Sequence, residues 1–482
     1  MHPLIWFRSD LRTHDNAALS AATRKADHPV TAVFVVSPAE WKAHDYSAAR
    51  IDFTLRTLVE LAASLQSLNI PLIVATSSRP QDVPQAVLSA AQANGCDSLY
   101  YNKEYELNES RRDAATAALF QKHHLAVHSF TDQIIFEPGQ IRTGEGRFFT
   151  VFTPFKRAWI KHALARGGVD THPTPKPVKP RPGTDAAAAA HPIPQAIPGF
   201  HSHVPAENWL AGEAHARKRL AAFAKRRISD YKLNRDFPAI DGTSTLSPYL
   251  AIGAISPRQC LAAALRANAD SASPFDTGPE GITTWISELI WREFYVTVLV
   301  GFPRVSMHRA FQPATENIRW NENQKHLEAF KQGATGVPIV DAGIRQMLAT
   351  GWMHNRIRMV VAMYFSKNLF LNWRDGERFF MQNLVDGFLA SNNGGWQWSA
   401  STGTDAAPYF RIFNPVSQSE KFDAEGTYIR RWVPELSKLS AEAIHAPWEL
   451  PPLAKLNLNY PPPLVDLGTS RLAAIQAFKK AR

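Results

Sequence analysis

The first 130 residues alternate between two patterns, and that alternation limits the fold more than any other feature of the chain. Five short apolar runs have the length and composition of buried strands: LIWF (4–7), VTAVFVV (30–36), IPLIVA (70–75), SLYYN (98–102) and LAVHSF (125–130). Between them, stretches such as ARIDFTLRTLVELAASLQSL (49–68) repeat apolar residues at three- and four-residue spacing, as amphipathic helices do. Strand and helix in turn predict a doubly wound, parallel five-stranded sheet with right-handed crossovers, a Rossmann-like α/β domain over residues 1–132. No Gly-x-Gly-x-x-Gly follows the first strand, so the usual dinucleotide fingerprint is missing.

The remaining chain is organised differently. THPTPKPVKPRPGTDAAAAAHPIPQAIPGF (171–200) is full of Pro and Ala and has little to bury, which predicts an interdomain linker over 133–205. From 206 to 482 helical patterns dominate, clearest in PAENWLAGEAHARKRLAAFAKRRISDY and GVPIVDAGIRQMLATGWMHNRIRMVVAMYFSKNLF. A chain of 482 residues exceeds one ordinary core, in line with two domains. Only Cys96 and Cys260 are present, which excludes a disulfide framework and fits a reducing compartment. With no signal-like N-terminus and no long uncharged apolar run, the expectation is a cytoplasmic protein. The net charge of +10 points to a polyanion such as nucleic acid, although many basic proteins are simply soluble. The 13 tryptophans suit cores, base stacking and flat cofactors alike.

Four stretches carry candidate chemistry. In DGTSTLSPYLAIGAIS (241–256), Thr243, Ser244 and Ser247 cluster before a helical run, where hydroxyls either hold a phosphate or simply cap the helix. In TTWISELIWREFY (283–295), Trp285, Glu288 and Arg292 share one helical stripe, with Trp291 beside them. An acid and a cation on an aromatic face suggest a pocket, or else an ordinary i,i+4 pair. In TGWMHNRIRMVV (350–361), Trp352, Asn355, Arg356 and Met359 share a face, with Arg358 next to it. That face lines either something polar or a seam between domains. In NLVDGFLASNNGGWQW (383–398), Asn392–Asn393–Gly394–Gly395 predicts a tight turn, which beside Trp396 and Trp398 suggests backbone bent around a flat ligand. The stretch 391–415 has no cysteine, no histidine and only one acidic group, Asp405, so it offers no obvious nucleophile and no metal cluster.

Taken together, WFRSDLRTHDNAAL, YNKEYELNESRRD, FTPFK, RDFPAIDGTSTLSPYLAIGAISPR, WISELIWREFY, GWMHNRIRMV and NNGGWQWSASTGTDAAPYFRIFNP resemble the DNA photolyases of the photolyase/cryptochrome family, in order, from about residue 3 to 450. The likeness is to bacterial members that repair cyclobutane pyrimidine dimers. It implies a monomeric flavoprotein lyase in which reduced FAD, excited by blue light, gives an electron to a dimer flipped out of UV-damaged DNA. The absence of a nucleophile then has a reason: the cofactor does the chemistry.

The resemblance also assigns roles. Tyr231, Thr243, Ser244, Thr245, Leu246, Ser247, Trp285, Glu288, Arg292, Trp352, Asn355, Arg358, Asp386, Gly387 and Asn392 match positions around the FAD, Asn392 facing the reactive ring nitrogen and Arg358 with Asp386 forming an ion pair over the ring system. Glu288, Trp291, Asn355, Met359 and Trp398 match the lesion pocket, and Arg235, Arg356 and Gln418 match DNA contacts. Trp396, Trp373 and Trp320 match an electron-transfer chain running from the flavin to the surface. The basic runs Arg217–Arg219 and Lys225–Arg227 either add phosphate contacts or are a solvated helix face. His44, Asn108 and Glu109 match the pocket of an antenna folate, 5,10-methenyltetrahydrofolate.

The chain departs from the family pattern at two places. Met307 stands where a lysine contact to that folate is expected, and Phe388 replaces an acid two residues after Asp386. Asn392 argues against a cryptochrome-type blue-light receptor, and Asn355 with Met359 against a (6-4) photoproduct photolyase, whose pocket carries histidines, although His354 lies nearby. A plain flavoprotein oxidoreductase would not need the Arg235/Arg356 pair or the basic charge.

Overall fold

The computed structural model describes residues 2–180, 192–456 and 458–481. Residues 181–191 of the predicted linker lie outside that range. The chain divides into two compact units, one of Met1–Ser229, Ser244–Pro303 and Val385–Gly387, the other of Asp230–Thr243, Arg304–Leu384 and Phe388–Arg482.

The first unit holds five parallel strands: β1 (Pro3–Phe7), β2 (Thr31–Val36), β3 (Leu72–Thr76), β4 (Ser98–Asn102) and β5 (Ala126–Phe130). Each predicted strand is present within two residues of its expected bounds. Their order is β3-β2-β1-β4-β5, so the winding reverses between β1 and β4. β1 and β2 are buried along their whole length, which explains their unbroken apolar runs, whereas edge strand β5 is half exposed. The predicted helix 49–68 forms as Ala48–Ser67.

Further helices of this unit are fixed by buried charge. Asp132 accepts from Arg12 at 2.7 Å and from Arg258 at 2.6 Å. Burial alone would raise its pKa, but the two guanidinium groups hold it at about 2. Glu293, in the helix Glu280–Gly301, accepts from the N–H groups of Ile135 (2.8 Å) and Phe136 (3.1 Å) and from Trp159 Nε1 (2.8 Å). Burial outweighs these bonds and pushes its pKa up to about 7. The same helix is thereby locked against Phe152–Ala165, which seats Trp291 face to face on Phe152 with ring centroids 3.7 Å apart.

The second unit is helical among its described residues, around a core that includes Val340, Ile344, Ile357, Val361, Phe365 and Tyr428. The longest apolar-periodic stretch is not one helix. Pro338–Thr350 stops at Gly351, whose φ of 70° is the left-handed C-cap conformation that glycine adopts without strain. Asn355–Met363 follows and runs into a π-helical turn, Tyr364–Asn368, buried throughout. The predicted turn at Asn392–Gly395 is a correction: these residues are helical, inside Leu389–Ala400. Two glycines disfavour a helix by roughly 1 kcal/mol each. Tertiary bonds oppose that cost: Asn392 Nδ2 donates to the Glu377 carbonyl and Asn393 Nδ2 to Glu377 Oε1, both at 2.9 Å.

Candidate active site

The residues assigned to the flavin are divided between the two units. In the first unit, Thr245 takes the left-handed conformation at φ 48°, with Leu246 buried behind it and Ser247 opening a short helix. Arg219 Nη1 donates to Thr245 Oγ1, and the Thr245 hydroxyl to the Ser244 carbonyl at 2.8 Å. This group of hydroxyls and a guanidinium suits a phosphate. On the helix Glu280–Gly301, Trp285 is buried against Phe223, whereas Glu288, Trp291 and Arg292 stay half-buried on one face. Arg292 donates to the carbonyls of Gln133 and Leu250, and burial lowers its pKa to about 10. Asp386 is buried in this unit, and the neighbouring Gly387 carbonyl accepts from Arg50.

In the second unit, Met353, His354, Ile357 and Val360 face the core, while Trp352, Asn355, Arg356, Arg358 and Met359 lie on the more open face. Arg358 Nε donates to the Met353 carbonyl at 2.8 Å. One Asn392 amide N–H is committed to Glu377, which leaves its side-chain oxygen and its second N–H to offer to a ligand. Sequence reasoning passed over Glu377. It is buried, and it also lies 3.4 Å from His308 Nδ1, so it organises both asparagines. Its only sequence signal is a carboxylate one turn after Trp373.

Two of the three assigned tryptophans are buried and the third is not. Trp396 and Trp373 are 2% and 0% exposed, and Trp320 is half-buried. Trp396 lies against Gly376, one turn beyond Trp373 on the helix Trp373–Asn383. Trp320 packs on Phe370, centroids 5.1 Å apart, and the next residue, Asn321, bridges to Leu371. Trp396 Nε1 is buried without a hydrogen-bond partner among the described residues, a donor that a bound polar group would satisfy.

The DNA-contact candidates Arg235 and Arg356 converge on one carboxylate, Asp236, at 3.7 and 2.9 Å. Tyr231 lies under the Arg235 guanidinium, and Phe422 under that of Arg356. Gln418 is half-buried on the helix Pro415–Phe422, and Trp398 packs near Phe413. The basic runs separate in the structure. Arg219 turns to Thr245 and Arg227 packs over Phe223, while Arg217, Lys218 and Lys225 stay exposed.

A pocket opens at the carboxyl ends of β1 and β2, beside the point where the winding reverses, the usual place for a ligand in an open α/β sheet. Trp6, Trp41, Tyr46, Arg50, His44 and Glu109 are among its lining residues. His44 Nδ1 pairs with Glu109 at 3.0 Å and His44 Nε2 meets Asn108 at 3.2 Å, so the three predicted antenna residues come together. Deeper in, Arg112 bridges Glu40 and Glu104. Burial opposes ionisation of Glu104, yet Arg112 and Arg8 hold its pKa at about 2.

Two family models match the chain, one described as DNA photolyase over residues 3–179 and one as the FAD binding domain of DNA photolyase over 285–480. The chain belongs to the DNA photolyase family. It is 40% identical to the deoxyribodipyrimidine photo-lyase of Escherichia coli over 99% of this chain and 98% of that one. Among solved structures it is similar to a class III photolyase from Agrobacterium tumefaciens (TM-score 0.86, 33% identity, 99% and 97% covered). It is also similar to a Synechocystis cryptochrome (TM-score 0.87, 27% identity, 98% and 99% covered). FAD is accordingly the cofactor of this photolyase-family chain. Within the first unit the hydroxyl–guanidinium group of Arg219 and Thr245 suits its phosphates, and within the second the Asn392 amide and the Trp396 indole N–H, unpartnered among the described residues, are polar groups suited to a flat polar ring.

Proposed function

We propose that this protein repairs UV-damaged DNA by splitting cyclobutane pyrimidine dimers under blue light. The observation that carries this reading is the half-buried face of the helix Glu280–Gly301, where Glu288, Trp291 and Arg292 lie together one turn from buried Trp285. Full-length likeness to proteins named deoxyribodipyrimidine photo-lyase supports it.

Bound and reduced, FAD supplies the electron for bond cleavage when illuminated. The chain's own residues prepare the encounter. Trp291, backed by Phe152, is a rigid wall on which a flipped dimer can stack, and Trp398 is the second wall. The Glu288 carboxylate accepts hydrogen bonds from the imide edge of the dimer, which compensates its loss of water. Asn355 lends an amide, and Met359 fills the remaining gap with a soft side chain. Arg235 and Arg356 exchange Asp236 for DNA phosphates. Asn392, fixed by its bond to Glu377, would accept a hydrogen bond from a ring N–H of the cofactor through its side-chain oxygen. Trp320, Trp373 and Trp396 would relay electrons from the surface towards the cofactor. Arg219, Ser244, Thr245 and Ser247 would hold the diphosphate, and Tyr231, Thr243, Leu246, Trp285, Arg292, Trp352, Arg358, Asp386 and Gly387 the rest of the cofactor. His44, Asn108 and Glu109 would hold an antenna folate.

The test is repair of two oligonucleotides, one with a thymine cyclobutane dimer and one with a (6-4) product, by the FAD-loaded protein in light and dark. Restoration of the cyclobutane dimer in light alone is expected. Repair of the (6-4) product only, or light-dependent flavin reduction with no repair of either, would overturn the reading.

A further inference from the structure

The last described helix, Leu467–Ala481, has one buried stripe, with Ala474 and Phe478 each 1% exposed. Ser470, one turn before Ala474, accepts from Asn368 Nδ2 at 3.0 Å, which ties the start of the helix to the π-helical turn. Its end is tied through Phe478. Lys367, from the same turn and fully buried, places Nζ 3.5 Å from the Phe478 ring centre and donates to Ser401 Oγ at 2.9 Å. Tyr409 stacks on Phe478 at an interplanar angle of 15°. The remaining edge of Phe478 meets Trp320 at 6.1 Å and 79°, and Phe370 at 6.2 Å and 83°. A single phenylalanine, clamped by a cation and a tyrosine, thus covers part of the one assigned chain tryptophan that is not buried.

We propose that Phe478 and its helix are a cover for Trp320 that sets how fast outside reductants reach the electron chain. This rests on the reading of Trp320 as the outer member of that chain. Once Trp320 has given an electron inward it is a cation radical. A thiolate restores it by one-electron transfer, Trp320•⁺ plus RS⁻ giving Trp320 and RS•, and two thiyl radicals combine to a disulfide. That step needs approach to the indole, part of which Phe478 covers. Phe478 touches neither flavin nor dimer in this scheme. It governs access, not the chemistry.

The experiment compares wild type with Phe478→Ala and Phe478→Leu in FAD-loaded protein after a light flash. The second-order rate constant for removal of the tryptophan radical by added thiol is expected to rise at least threefold in Phe478→Ala and less in Phe478→Leu. The initial radical yield should not change. A second measurement needs no flavin: oxidation of Trp320 by N-bromosuccinimide, followed by peptide mass mapping, should speed up in the same order. Wild-type constants in both variants, with the fold intact by circular dichroism, would overturn the cover. Trp320→Phe separates the two ideas. If it photoreduces as fast as wild type, the outer-tryptophan reading fails. If it photoreduces more than tenfold slower while the Phe478 variants behave as wild type, only the cover fails.

Discussion

Trp396 lies so close over Gly376 that a Cβ at position 376 would come within 2.2 Å of the indole Cη2. The glycine is thus the seat on which the innermost assigned tryptophan rests, one turn from Trp373. A methyl there would push against a ring that Phe365 and Phe380 hold edge-on from other sides, at 5.4 and 4.9 Å.

Gly376→Ala therefore has an expected sign opposite to the usual one. In a free helix interior the change gains up to about 1 kcal/mol. Here overpacking is expected to cost about 1–3 kcal/mol, read as a lower midpoint in urea. Photoreduction of bound FAD should slow as well, because Trp396 is displaced. A more stable variant would show that the ring gives way freely.

Asn392→Ala removes the side-chain oxygen offered to the flavin and the bond to the Glu377 carbonyl. The expected outcome is a folded protein that still binds FAD but whose reduced flavin reoxidises in air several-fold faster. Absorbance at the flavin band after photoreduction measures this directly. Unchanged reoxidation would remove Asn392 from its assigned role.

His354 provides a pH test. Its Nδ1 accepts from the Arg356 N–H at 3.2 Å, so the ring proton sits on Nε2, which is buried without a partner among the described residues. Burial lowers its pKa to about 4, with Asp236 acting the other way and Arg358, Arg356 and Arg235 adding to the depression. The unfolded chain then binds the extra proton first as pH falls below about 6.5. Stability from this group is complete above about 6.5 and is lost progressively down to about 4, by up to about 3 kcal/mol. His354→Asn keeps a helix-capping acceptor but does not titrate. Its unfolding free energy is expected to fall less between pH 6.5 and 4 than that of wild type. Equal falls would contradict the assignment.

Trp291 and Phe152 make a graded pair. Trp291→Ala should weaken binding to dimer-containing DNA by about tenfold or more, since stacking is worth roughly 1–3 kcal/mol per base. Phe152→Ala leaves the indole in place but unbacked, so the loss should be smaller. The flavin spectrum should barely move in either. Fluorescence anisotropy on damaged and intact oligonucleotides checks both, and a larger effect from Phe152 would mean that Trp291 is not the wall.

Local pattern determined much of this molecule. The strands of the sheet are legible because a buried parallel strand must be apolar on both faces, as LIWF and TAVFVV are. The helices are legible because one face of each is buried. Arg235 and Arg356 share Asp236, and His44 meets Asn108 and Glu109, contacts that join residues far apart in the chain. Other features rest on contacts between residues far apart in sequence, which no local window contains. Asn392–Gly395 reads as a turn by composition, and the bonds that Asn392 and Asn393 donate to Glu377, 15 and 16 residues earlier, support it as helix. Arg219 and Lys218 are equivalent in a basic run, and only packing sends one to Thr245 and the other to solvent. Phe478 is an ordinary core residue in sequence, and tertiary structure alone places it against Trp320, because side-chain burial over a distance of 158 residues is decided by how helices pack and not by what each helix is.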